Sequence, residues 1–286
     1  MRLFSTILFV VIFILGCGNM ETEQAMMEEP DISSLTAVTE ARLMATEGGQ
    51  LLLRAINAHG GLDAWHNAET SSYVWGFEGG MKGKMVAHNR TRQVYHDIMF
   101  MGDEAAPDAQ MAWDGTNAWI YPDSLPTSPR FMATTGYYFQ SIPFILADPG
   151  VRYEVLTPAL LDSVEHQIVR ATFDDGVGDA PGDHYTLYIN PETHMVNAIL
   201  YRSTYGRGRP EISEDMLQTL LYYEDYVTVD GLTVPTQFEG YGFSGGSKGE
   251  KYYEAASSEH SYTQPFDESR LVMPEGGRVD PMPSSE

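Results

Sequence analysis

From about residue 70 onward the chain is a succession of short segments in which Val, Tyr, Phe, Thr and Met alternate with polar residues, each closed by a turn signal. This pattern restricts the fold more than any other feature, because a two-residue period sends alternate side chains to opposite faces of a strand. Strands are expected at 73–78, 84–88, 92–101, 110–113, 118–121, 152–156, 167–174, 184–189, 195–205, 217–229, 232–243 and 251–262. Hairpin turns are marked at Asp114-Gly115, Asn190-Pro191-Glu192-Thr193 and Asp230-Gly231, where Gly, Asn and Asp accept the backbone angles that tight turns demand. Many strands joined by short turns predict an antiparallel meander, curved or closed, since a long open sheet exposes its edges.

Helical spacing appears in two places. Between about residues 40 and 58, Leu51, Leu52, Ala55 and Ile56 share one face, and Gly60-Gly61 stops the helix. One of these glycines is expected at positive φ, where a side chain is costly. A short turn over residues 62–65 follows. The second place is residues 134–147, which carry Tyr137, Tyr138, Phe139, Ile142, Phe144, Ile145 and Leu146 before Asp148-Pro149-Gly150 forces an exit. Apolar nearly all round and interrupted by Pro143, this stretch predicts a kinked buried helix or two helical turns. A sheet curling around it would have a concave apolar face, which the segment either plugs or gates.

The N-terminus has its own logic. Arg2 precedes an apolar run from Leu3 to Leu15, which is shorter than the ~20 residues a helix needs to span a bilayer but suits the core of an export signal. The run ends in Ile14-Leu15-Gly16-Cys17, which resembles the lipobox of bacterial lipoproteins, and Cys17 is the chain's single cysteine. The resemblance implies cleavage before Cys17 and lipid attachment at its thiol. Glu21, Glu23, Glu28, Glu29 and Asp31 then sit among Met, Ser and Pro with no sustained apolar face. The expected plan is a lipoprotein signal peptide at 1–16, a lipid-anchored acidic tether at 17–35, a β domain at 36–270 and a flexible tail at 271–286.

A net charge of −23 repels phosphate backbones and anionic headgroups, which argues against nucleic-acid partners and against polybasic membrane contact. Membrane attachment then falls to the acyl chains on Cys17.

Four pieces occur in order: residues 58–65 (AHGGLDAW), 113–119 (WDGTNAW), 144–150 (FILADPG) and 229–235 (VDGLTVP). As a set they resemble a family of bacterial envelope lipoproteins related to the LolA/LolB outer-membrane lipoprotein-sorting carriers, over about residues 48–262. The resemblance implies an α+β fold that is mainly β, a strongly curved antiparallel half-barrel sheet with helices over its concave face. It also implies an apolar pocket for acyl chains and a place in the cell envelope, at the outer membrane.

Candidate residues follow from these readings. Trp75, Trp113, Trp119, Phe131, Tyr137, Tyr138, Phe139, Ile142, Phe144 and Leu146 are candidates to line a ligand pocket, against the plainer alternative that they fill the core. His59, Asp63 and His66 cluster at the helix stop, but their spacing matches no zinc motif, and capping explains His59 and Asp63 more simply. His88 and His96 are possible hairpin neighbours. Asp174, Asp175 and Asp179 lack EF-hand order, so a solvated loop is expected there. No nucleophile elbow, His-Glu-x-x-His or phosphate loop occurs, and no metal or cofactor is expected. Three functions stay open: a non-enzymatic lipoprotein that binds an acyl chain or similar ligand in the concavity, an interaction lipoprotein with a plugged cavity, and a hydrolase with an unrecognised site.

Overall fold

A computed structural model describes residues 31–174, 183–202 and 218–280. Cys17, the apolar leader, most of the acidic tether, Asp175, Asp179 and residues 281–286 lie outside the described residues.

Where the apolar spacing suggested one helix there are two, α1 (Ile32–Met44) and α2 (Glu47–Ala58). Asp31 caps α1, its carboxylate accepting from the Ser33 N–H at 3.3 Å, so helix begins inside the stretch read as tether. Thr46 caps α2 by accepting from the Gly49 N–H at 3.1 Å. The bend between them is so tight that a Cβ on Gly49 would lie 2.2 Å from the Leu43 carbonyl oxygen. Helix α2 buries Leu51, Leu52, Ala55 and Ile56, the face read from the sequence.

Gly60 and Gly61 end α2 at φ 121° and 90°, and α3 (Leu62–Asn67) starts at once. Alanine at Gly61 meets chiefly the dihedral strain and should cost about 1 kcal/mol. At Gly60 the added Cβ would also stand 2.2 Å from the carbonyl oxygen of Gly231. The expected cost there is about 2–3 kcal/mol, read as a shift in urea unfolding midpoint. Equal costs at the two positions would show that the approach of Gly231 does not matter.

Strands β1 (Thr70–Phe77), β2 (Met81–His88), β3 (Val94–Met101), β4 (Glu104–Ala105), β5 (Gln110–Trp113) and β6 (Ala118–Tyr121) precede helix α4 (Pro129–Ser141). After it come β7 (Val151–Leu161), β8 (Val164–Phe173), β9 (His184–Ile189), β10 (Val196–Arg202), β11 (Gln218–Glu224), β12 (Val227–Val229), β13 (Leu232–Val234), β14 (Gln237–Ser244), β15 (Ser247–Ser261) and β16 (Arg278–Asp280). The main sheet is antiparallel and 14-stranded, in the order β16-β6-β5-β3-β2-β1-β15-β14-β11-β10-β9-β8-β7, with β4 beside β3. Among the described residues it does not close, and β16 and β7 stand at the two ends of its strand order. β12 and β13 form a separate hairpin around Asp230 and Gly231, both at positive φ. The single strand read over 217–229 is thus broken, at Asp225 with φ 52°.

Helix α4 lies over β1, β3, β5 and β6, and α2 over β7 and β8, all on one face of the sheet, the inner face. The main core sits there. The outer face buries apolar residues too: Val86, Tyr95, Ala112 and Trp119 lie beneath Phe266 and Leu271, and Ile168, Tyr188, Ala198, Leu220 and Tyr222 form a second group. Residues 271–280, expected as flexible tail, are therefore partly engaged. The Trp119 indole N–H donates to the Leu271 carbonyl at 2.8 Å, and β16 pairs with β6. The reason is chemical as well as apolar, since the Arg278 guanidinium donates to the carbonyls of Leu125 and Thr127. Among the described residues no helix is long and apolar enough to cross a membrane.

Candidate functional site

The inner face has two halves. In the first, α4 is docked by polar grips as well as by packing. His96 Nε2, the Tyr73 hydroxyl and the Tyr223 hydroxyl donate to the carbonyls of Ala133, Gly136 and Phe139 at 2.8, 3.3 and 3.0 Å. Those carbonyls recur every three residues and so share one face of the helix. Gly136 permits the closest approach, because a Cβ there would sit 2.9 Å from Trp75 Cγ.

The helix stops at Ile142, whose extended backbone (φ −70°, ψ 133°) is what a residue before proline prefers. A 3₁₀ turn at Phe144–Ala147 follows. The apolar stretch is thus a helix plus a separate turn, and it is held from several sides. Phe144 stacks on Trp65 at 4.9 Å and 9° and meets His59 edge-on. The Tyr153 hydroxyl donates to the Leu146 carbonyl at 2.6 Å, and the Arg42 guanidinium to that of Ala147. Arg92 binds both the Tyr137 hydroxyl and the Asp148 carboxylate.

His59 joins this half to the rest. Its Nδ1–H donates to the Thr233 carbonyl at 2.8 Å, and its Nε2 accepts from the Val196 N–H at 3.2 Å. One nitrogen donating and one accepting is the neutral imidazole, and burial pulls its pKa down to about 4, with the Thr233 contact acting the other way. His66 pairs through Nδ1 with the Thr36 hydroxyl, and Asp63 is exposed. His59, Asp63 and His66 therefore do not converge, and among the described residues no group of three His, Cys, Asp or Glu side chains could hold a metal ion. His88 and His96 are not cross-strand neighbours either, because His96 faces Met85 while His88 pairs with Thr70 in β1.

The second half of the inner face is a row of half-buried aromatic rings at one end of the strands. Phe173 on β8 lies 6.0 Å from Tyr185 on β9, and Tyr185 lies 6.2 Å from Tyr201 on β10. Tyr201 reaches across β11 and β14 to Tyr253 on β15, hydroxyl to hydroxyl at 3.2 Å. Tyr253 meets Phe77 on β1 at 5.7 Å, and Phe139 of α4 rests on Tyr201 at 5.0 Å. Glycine makes the crossing possible: the Tyr253 ring lies where a Cβ on Gly240 would be, 2.1 Å from Cε1. Burial raises the pKa of every hydroxyl in the row, that of Tyr201 to about 12, so these groups stay neutral donors and acceptors.

The structure divides the residues singled out in the sequence. Trp75, Tyr137, Phe139, Ile142, Phe144 and Leu146 are buried together on the inner face, with Tyr138 half-buried beside them. Trp113 is on that face too, under the Arg130 guanidinium at 4.6 Å, in the apolar group around Met111 and Ile120. Trp119 points to the outer face, because alternation along β6 turns Ala118 and Ile120 inward. Phe131 is 40 % exposed on the side of α4 away from the sheet. Phe77, Phe173, Tyr185, Tyr201 and Tyr253 were missed. Each was legible as a strand aromatic, but only the cross-strand register lines them up.

A pocket of about 210 Å³ opens near Phe77, lined by Gly76, Lys82, Gln237 and Glu254 among others. Gly76 pairs with Lys82, and both alternate onto the outer face, while Phe77, which also lines the pocket, belongs to the aromatic row.

No protein-family model matches the chain. Among curated proteins, glutathionyl-hydroquinone reductase PcpF of Sphingobium chlorophenolicum is 25% identical over 171 residues, 55% of this chain and 51% of that protein, so the chain spans about half the length of that relative. Among solved structures, a LolA superfamily protein from Nitrosomonas europaea is similar with TM-score 0.47 and 10% identity, covering 80% of this chain and 98% of that one. A DUF1329 family protein from Desulfovibrio piger is similar with TM-score 0.49 and 11% identity, over 79% and 97% of the two chains. The Mycobacterium tuberculosis lipoprotein LppX follows with TM-score 0.26 and 11% identity, over 76% and 97%.

Proposed function

We propose that this chain is a non-enzymatic lipoprotein of the bacterial cell envelope, anchored through Cys17 at the outer membrane, that holds an acyl chain on the aromatic half of its inner face. In this reading the sheet wraps the ligand as a half-barrel. The observation that carries the reading is the row Phe173–Tyr185–Tyr201–Tyr253–Phe77, half-buried where the pinned segment beside it is fully buried. Aromatic rings with neutral hydroxyls offer a long apolar track with a few polar points, the chemistry of an amphipathic lipid site.

Trp75 reports on this site, since its ring lies 6.0 Å from Phe77, whereas Trp119 is on the outer face. A dibrominated fatty acid added to the purified protein should quench tryptophan emission. Trp75→Phe should remove most of that quenching and Trp119→Phe should leave it intact. Quenching carried by Trp119, or none at all, defeats the assignment. Anchoring is tested separately: Cys17→Ser should abolish metabolic labelling with a fatty acid, and label persisting on the serine variant would refute the lipid attachment.

The plugged-cavity reading draws support from a specific observation of its own, the grips of Arg42, Arg92 and Tyr153 on residues 146–148. We therefore assign the plug to Phe144–Ala147 and the ligand to the aromatic half. His59 and His96 are committed to backbone partners, which argues against a hydrolase built on either.

A further inference from the structure

We propose that β7 is the seam of a homodimer, in which two copies of the chain join their sheets edge to edge. Among the described strands, β7 stands at one end of the sheet order and pairs only with β8. Its other edge therefore presents backbone N–H and C=O groups to which no described strand is paired, a template for a further strand. The edge is also apolar in part: Val155 is 39 % exposed, and Leu160 and Val164 around the following turn are 70 % and 48 % exposed.

The composition of the strand selects both partner and register. A two-fold axis perpendicular to the sheet pairs β7 antiparallel with its own copy, each residue facing one of the same side of the sheet. The register shift between Leu156 and Ala159, together with Pro158, limits regular pairing to Val151–Leu156. Within that stretch an axis at Arg152 sets Arg152 against itself, and an axis at Glu154 sets Glu154 against itself. An axis at Tyr153 sets Arg152 of each copy opposite Glu154 of the other, and Val151 opposite Val155. Only this last register pairs opposite charges and covers the exposed Val155 with an apolar neighbour. The side chains of Arg152 and Glu154 are 76 % and 67 % exposed on the outer face. Their contacts within the chain, to Asp174 and to Arg170 at 3.9 Å, lie on the β8 side and add partial competition at the surface.

The test uses full-length protein extracted from its membranes in non-ionic detergent, followed by sedimentation velocity. Wild type should run as a dimer at about 100 µM, as befits a strand-sized contact of modest affinity. Arg152→Glu and Glu154→Arg each place two like-charge pairs at the seam and should raise Kd about tenfold or more. The double variant Arg152→Glu/Glu154→Arg exchanges the charges and should restore the dimer. Far-UV circular dichroism checks that each variant is folded. A monomeric wild type, a dimer unaffected by either single change, or a double variant that stays monomeric overturns the proposal, and the first of these outcomes does not depend on any substitution.

Discussion

Lowering the pH from about 6.5 to about 4 should remove about 3 kcal/mol of stability for each of His59 and His96, roughly 6 kcal/mol together. Both rings are almost completely buried, and burial pulls both pKa values down to about 4 from an ordinary 6.5. In the unfolded chain these imidazoles take up protons near pH 6.5, whereas in the folded chain they resist until about pH 4. Between those values the unfolded state binds more protons, so stability is full above pH 6.5 and falls as the pH drops through the window. Below about 4 both states are protonated and this contribution stops growing. Urea midpoints across the pH range read the effect directly. His96→Gln separates the two residues, since an amide N–H can replace Nε2 as donor to Ala133 without titrating, and it should halve the slope. A stability that stays flat from pH 6.5 to 4 contradicts the neutral, buried assignment of both rings.

Phe144→Ala should cost about 3–5 kcal/mol, the range for emptying a buried aromatic site. The ring is 1 % exposed, stacked on Trp65 and edge-on to His59, so its loss leaves a void beside these two rings. Phe144→Trp is the more informative change. Overpacking at a plug should destabilise by roughly 1–3 kcal/mol and leave fatty-acid quenching at the aromatic half unchanged in the fraction still folded. At a gate, the same substitution would instead cut fatty-acid uptake while the melting temperature held. The two outcomes are told apart by running thermal melts and binding on one sample.

Much of the fold was legible because it rests on local chemistry. Gly60-Gly61 and Asp230-Gly231 announce their turns by residue type alone, and both turns form at positive φ. Strand positions followed from alternation, since period two is a property of the chain itself. A single helix over residues 40–58 overlooks Thr46, whose hydroxyl caps α2 and marks the break from α1. The two-sided burial of the sheet was missed for a different reason. Alternation tells which residues share a face, and what covers the other face depends on where a distant segment such as Phe266–Leu271 comes to rest. Trp119 is the example: its neighbours Ala118 and Ile120 turn inward, so it had to turn outward. The aromatic row failed to appear for the same reason, because Tyr185, Tyr201 and Tyr253 become neighbours only through pairings across β9, β10, β11, β14 and β15.

The place of β1 in the sheet has a kinetic consequence. One edge of β1 pairs with β2, its immediate successor, but the other pairs with β15, as in Ser72 with Ser261. The hairpins from β1 to β6 need only nearby residues and can form early, within microseconds once the chain is free. The joint between β1 and β15 must wait until nearly the whole chain is available, and His59 likewise cannot reach Val196 and Thr233 before then. Closing such long loops before their contacts stabilise anything places the chain among slow, topology-limited folders. Throughout that interval β1 offers an unpaired edge carrying Tyr73, Val74 and Trp75, an aggregation hazard. A holdase able to cap an exposed strand should therefore raise the yield of refolding most when added at the start, and little once the β1–β15 joint has formed.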